Sequence, residues 1–153
     1  RCGRPAVIAD LTSAASVEAL AVTAEESFGP ANLLFNNAGV ASGGPIWEST
    51  EKDWKWLFGV NVDGVANGVR SFTPRMLAAA AADAAYQGCI VNTASMAGLV
   101  TAPGMGIYSV SKHAALALSE CLYHDLDLLG RRVRAAVLCP PYVSPTISQR
   151  HRS

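Results

Sequence analysis

The chain has 153 residues, half of them hydrophobic, with 12 basic side chains set against 12 acidic ones. That is the length of one domain with enough apolar residues for a sizeable core, and the charge balance excludes the basic footprint of a nucleic-acid or anionic-membrane binder, Arg150-His151-Arg152 being too short to change it. No apolar run approaches the ~18 residues of a membrane span and no signal-peptide core opens the chain, so a cytoplasmic location is expected. Cys2, Cys89, Cys121 and Cys139 are scattered without a Cys-x-x-Cys pair, which predicts buried free thiols and no metal site.

In chain order, Ala6-Val7-Ile8-Ala9 reads as a first short strand with Asp10 at its end. Ser13 can cap a helix whose Val17, Leu20, Ala21 and Ala24 keep helical spacing, and Phe28-Gly29-Pro30 stops it. Leu33-Leu34-Phe35 reads as a buried strand running into a turn at 36–44 rich in Asn and Gly. Thr50 with Asp53 resembles a capping box. Beyond it Trp54, Leu57, Phe58, Val62, Val65, Val69 and Phe72 form one apolar stripe, which predicts a long amphipathic helix. The alanine-rich stretch 78–85 either extends that helix or makes a surface excursion. Cys89-Ile90-Val91-Asn92 is the next strand, 107–129 the next helix, and Val133–Leu138 a last strand before Pro140-Pro141. Strands that alternate with helices predict an α/β domain with a parallel sheet. With no repeat and no linker, residues 1–153 form one domain.

The densest chemistry is Tyr108-Ser109-Val110-Ser111-Lys112. On a helix, positions four apart share a face, so the Tyr108 hydroxyl and the Lys112 ammonium can serve one site. A phenol titrates near ~10 in water, and a fixed cation beside it favours the phenolate, which makes a tunable general acid/base. Ser95 follows the strand that begins at Cys89, where open α/β sheets place their active sites. Its hydroxyl can donate to a substrate oxygen or simply close a turn. Asn61 falls on the apolar stripe of the long helix, where an unpaired amide costs about 1–3 kcal/mol, so something polar must meet it. It is either part of a relay to the site or a satisfied core amide at a kink. In Asn36-Asn37-Ala38-Gly39, Gly39 allows backbone to approach a ligand closely, and the asparagines can brace adjacent strands. Asp10 can accept from an adenine amino group or cap its turn.

Taken together, the Asn-Asn-Ala-Gly loop, Asn61, Ser95 and the Tyr108/Lys112 pair resemble the short-chain dehydrogenase/reductase family in order and spacing, from about residue 6 onward. The resemblance implies a Rossmann-like doubly wound parallel sheet, here incomplete, with its first two strands and last strand absent. It implies an oxidoreductase that interconverts an alcohol and a ketone or aldehyde using NAD or NADP, with Tyr108 as acid/base and Ser95 polarising the substrate oxygen. Lys112 then binds the nicotinamide ribose and lowers the tyrosine pKa, while Asn61 holds a relay water. Cofactor contacts fall to Asp10, Leu11, Asn37, Ala38, Gly39, Tyr108, Lys112, Pro140 and Val143. Pro141 replaces the family's glycine and Thr146 stands one position late.

No glycine-rich strand-turn-helix precedes Asp10 to cradle a pyrophosphate, so an internal fragment of a longer polypeptide is expected. The strand at 6–9 should then lack a sheet neighbour. The residue that selects NAD or NADP lies outside the chain. A non-catalytic remnant serving as a binding or assembly module is the alternative reading, and a sugar-nucleotide epimerase or dehydratase fits the Asn-Asn-Ala-Gly loop and Asn61 less well. Met96, Leu99, Val100 and Met105 predict an apolar wall and hence a hydrophobic small-molecule alcohol or ketone. Family members often pair through their two long helices, so a homodimer or homotetramer is expected.

Overall fold

A computed structural model describes residues 6–130 and 132–141. Helix α1 is Ala14–Phe28, opened by Ser13, whose hydroxyl accepts from the Ser16 N–H, and closed at Gly29, whose φ of 76° an L side chain rarely adopts. Strand β1 is Leu33–Asn36, β2 is Gly88–Thr93 and β3 is Val133–Leu138. They pair in parallel in the order β1-β2-β3, with Asn36 opposite Asn92 and Asn92 opposite Val137. Parallel pairing requires crossovers, and helices supply them.

The long helix is interrupted. Helix α2, Glu51–Phe58, passes through one π-helical turn at Gly59–Asp63 into α3, Gly64–Ala82. Thr50 and Asp53 form the capping box: the Thr50 hydroxyl accepts from the Asp53 N–H, and the Asp53 carboxylate accepts from the Thr50 N–H at 2.9 Å. The alanine run continues α3 to Ala82. Helix α4 is Gly106–Asp127.

Two apolar clusters hold these layers. Met76, Ala80, Ile90, Leu122, Leu126 and Val133 pack α3 and α4 against the central strand, and Val40, Leu57 and Ile107 join α2 to the start of α4. A salt-bridged Arg75, 2.8 Å from Glu18 and 3.0 Å from Glu25, ties α3 to α1.

Residues 6–9 are not a strand. A strand exists only through lateral hydrogen bonds, and this segment pairs with no described residue; Ile8 is fully exposed at 101%. The outer edge of β1 is likewise unpaired among the described residues, and Leu33 and Phe35 are more than half exposed although their run reads as buried. Cys89, Cys121 and Cys139 are free thiols, with Cys121 exposed on the outer side of α4 and the other two half-buried. No helix among the described residues is long and apolar enough to cross a membrane.

Candidate active site

The carboxyl ends of β1 and β2 and the first turns of α4 meet at one place. Beyond β2, Ser95 opens a 3-10 turn, Met96–Gly98, and its Oγ accepts from the Ala97 N–H at 3.2 Å. The Ser95 hydroxyl donates to no described residue, so its proton is available to a ligand oxygen. The turn lies directly on α4. A Cβ at Gly98 would come within 2.7 Å of the Lys112 carbonyl oxygen, so only glycine lets this serine turn approach the helix so closely.

Tyr108 sits half-buried in the first turn of α4, with its hydroxyl hydrogen-bonded to no described residue. One turn on, the Lys112 Nζ lies 5.8 Å from the centre of the Tyr108 ring, within range of a cation–π attraction. Lys112 is 4% exposed and donates to the Thr93 carbonyl oxygen at 2.9 Å. An ammonium has three donors, so two remain for a bound hydroxyl. Burial pushes the Lys112 pKa down to about 8, partly opposed by the neighbouring Cys139 thiol. At neutral pH the group is still mostly cationic, which is the state that favours a phenolate nearby.

Asn61 is 1% exposed and hydrogen-bonded at both ends of its amide. Its Oδ1 accepts from the Val40 N–H, and its Nδ2 donates to the Val40 carbonyl oxygen and to Ser111 Oγ, each at 2.9 Å. Ser111 Oγ in turn donates to the Tyr108 carbonyl oxygen at 2.8 Å. The side chain therefore links the loop after β1 to the turn that carries Tyr108. It also sits in the π-helical turn, a distortion frequent at functional sites. Both N–H donors of the side chain are used within the protein, and one lone pair of Oδ1 remains to accept from a water.

The Asn-Asn-Ala-Gly loop leaves β1 with both amides in use. Asn36 Nδ2 donates to Asn92 Oδ1 at 2.8 Å, and Asn37 Oδ1 accepts from the Thr93 hydroxyl at 2.9 Å. Asn37 and Ala38 are exposed and Gly39 half-buried, so backbone is open at the end of β1. Asp10 caps its own turn, its Oδ1 accepting from the Thr12 N–H and the Thr12 hydroxyl, and the next residue, Leu11, whose carbonyl oxygen accepts from Asn67 Nδ2 at 2.9 Å, lines a cleft together with Asn36, Asn37 and Ala38. The Pro140 carbonyl oxygen accepts from the Met96 N–H at 3.0 Å, joining the end of β3 to the serine turn. Val143 and Thr146 lie outside the described residues.

Of the residues expected to form an apolar wall, Met96, Leu99 and Val100 are exposed and Met105 is half-buried. A cavity of about 820 Å³ is lined by Ile46, Trp47, Pro103, Gly106, Val110 and His113, among others. Its α4 residues stand about 100–160° around the helix from Tyr108, given 3.6 residues per turn. It therefore belongs to another flank of α4. Ser111, bonded to Asn61 and to the Tyr108 carbonyl oxygen, and Thr93, bonded to Lys112 and Asn37, support the site without standing out in the sequence. The one signal for Ser111 is its place beside Lys112.

Comparison with known proteins bears on the family and the fold. Residues 5–153 match the family described as short chain dehydrogenase. The "CLA biosynthesis dehydrogenase/reductase" of Lactiplantibacillus plantarum is 36% identical over 148 residues, covering 95% of this chain and 50% of that protein. A short chain dehydrogenase/reductase from Burkholderia phymatum, solved in complex with NAD, superposes with a TM-score of 0.88 at 52% identity, covering 94% of this chain and 49% of that one. A gluconate 5-dehydrogenase from Burkholderia cenocepacia, solved with NADP and tartrate, gives 0.81 at 27% identity, covering 92% and 52%. The chain spans about half the length of these proteins. With its parallel α/β sheet and its match over almost every residue, the chain belongs to the short-chain dehydrogenase/reductase family.

Proposed function

We propose that the protein carrying this chain is an NAD- or NADP-dependent oxidoreductase that interconverts a hydrophobic secondary alcohol and its ketone, with Tyr108 as the acid/base. The observation that carries the reading is the buried Lys112 ammonium, 5.8 Å from the Tyr108 ring, with donors to spare beside an open Ser95 hydroxyl. These residues fit the nicotinamide–ribose half of such a cofactor: Lys112 offers two N–H groups to ribose hydroxyls, and the exposed loop at Asn37 and Ala38 leaves backbone open beside them. When bound, the nicotinamide accepts or returns the hydride. Relatives solved with NAD and with NADP support either cofactor for this chain.

In the oxidative direction the alcohol O–H proton passes to Tyr108 as the C–H hydride leaves the carbinol carbon, and in reduction both transfers reverse. Lys112 lowers the energy of the phenolate by its charge. Ser95 donates to the substrate oxygen and so opposes charge build-up there. Asn61 acts through geometry, fixing the Tyr108 turn by way of Ser111. Asp10 is assigned to the adenine, Leu11 and Pro140 to further cofactor contacts and backbone near Val143 to the nicotinamide carboxamide, and a homodimer or homotetramer is the working assembly.

The test is turnover of the whole protein on a panel of secondary alcohols of graded hydrophobicity with each cofactor, followed by formation of the reduced nicotinamide. Activity that rises with apolar bulk is expected. Absence of turnover on every alcohol, and on the matching ketones with reduced cofactor, overturns the reading.

A further inference from the structure

Asn92 and Ser119 are 0% and 2% exposed, and the chemistry above uses neither. Buried polar groups must be paired, so their partners are informative. The Ser119 hydroxyl donates to the Ala115 carbonyl oxygen at 2.6 Å, a bond that consumes its only proton. Its lone pair then accepts from Asn92 Nδ2 at 3.0 Å. At the other end of the same amide, Asn92 Oδ1 accepts from Asn36 Nδ2 on the paired strand. Asn36 is itself held over Gly68 of α3, where a Cβ would meet its Oδ1 at 2.2 Å. Every amide and hydroxyl in this chain has one permitted orientation, and the chain runs from α3 through β1 and β2 to α4.

Its end point is what matters for the site. Ser119 is seven residues, about two turns, beyond Lys112, and so on the same face of α4. Lys112 reaches β2 at Thr93, the residue next to Asn92. Helix α4 is thus fastened to one end of β2 twice: by a long flexible ammonium and by a short, rigid hydroxyl–amide contact. Only the short one can dictate where the helix sits, because the lysine stem can follow small sliding or rotation. Ala115, 0% exposed between them, shows how closely the helix lies on its support.

We infer that the Asn92–Ser119 hydrogen bond sets the register of α4 against β2, which makes Ser119 a positioning residue for Lys112 and Tyr108. The inference rests on the reading of that pair as catalytic.

The test uses the whole cofactor-free protein with ¹³C-labelled lysine. The Cε signal of Lys112, assigned by its loss in Lys112→Arg, follows the titration of the ammonium. The ionisable groups facing it are Tyr108 from its own helix and Cys139 from beyond β3, both kept in the variants. In Ser119→Ala the helix loosens, water reaches the ammonium, and the titration midpoint rises by about half a pH unit or more. The kcat falls by about tenfold or more with a smaller change in KM. Ser119→Thr, which keeps the hydroxyl, restores both. A Ser119→Ala protein that melts earlier but titrates Lys112 as the wild type does overturns the inference, since that is what a merely structural serine gives. Should the wild type turn over no alcohol, the titration still reports the latch, so the two failures are told apart.

Discussion

The role proposed for Lys112 pulls against its surroundings. In that role its charge acts on Tyr108, yet its burial penalises that charge and holds its pKa at about 8. In the unfolded chain the group titrates near ~10.4, so between these values the unfolded state binds more protons than the folded one, and stability rises with pH across the window. Below about pH 8 both states are protonated and the penalty is present in full. Denaturant unfolding of the cofactor-free protein is therefore expected to show a rise between pH 8 and 10, on the order of 2 kcal/mol, that Lys112→Met lacks. Parallel pH profiles for the two proteins would contradict this assignment. Spacing made Tyr108, Lys112 and Ser95 legible in the sequence, because a helix repeat and a strand end are local facts. The partners of Asn61 were not legible. An amide in an apolar stripe announces that it needs partners, but Val40 and Ser111 come to it only through tertiary packing.

Among the elements, capping and stop signals located α1 and α2 closely, because a cap is a bond between near neighbours in sequence. The run at 6–9 has strand composition and is no strand, because pairing depends on a neighbour that composition does not supply. The interruption of the long helix at Gly59–Asp63 was foreshadowed only as a possible kink at Asn61. Helix α4 carries a second apolar stripe, Val110, Ala114, Ala117 and Cys121, facing away from the sheet, with Val110 42% exposed. Half-buried Trp54 and Phe58, 5.5 Å apart, flank the helical layer on α2. Helix faces of this kind bury themselves against another helix. Sedimentation of the whole protein at micromolar concentration should give a dimer or larger species, and Val110→Glu should shift it toward monomer. A wild-type monomer would contradict the assembly.

At the scale of the whole molecule, the three-stranded sheet gathers chemistry at the ends of β1 and β2: Asn37 beside Thr93, Thr93 beneath Lys112, and the Ser95 turn resting on α4 through Gly98. This convergence of three segments far apart in sequence gives the Tyr108 hydroxyl its significance, since no described residue occupies it. The most direct measurement compares Tyr108→Phe with wild type in the whole protein, pairing steady-state turnover with calorimetric titration of NAD and NADP. Turnover is expected to fall by about a hundredfold to ten-thousandfold while cofactor affinity stays within a few-fold of wild type. Turnover retained near the wild-type level, with the phenol gone, would contradict it.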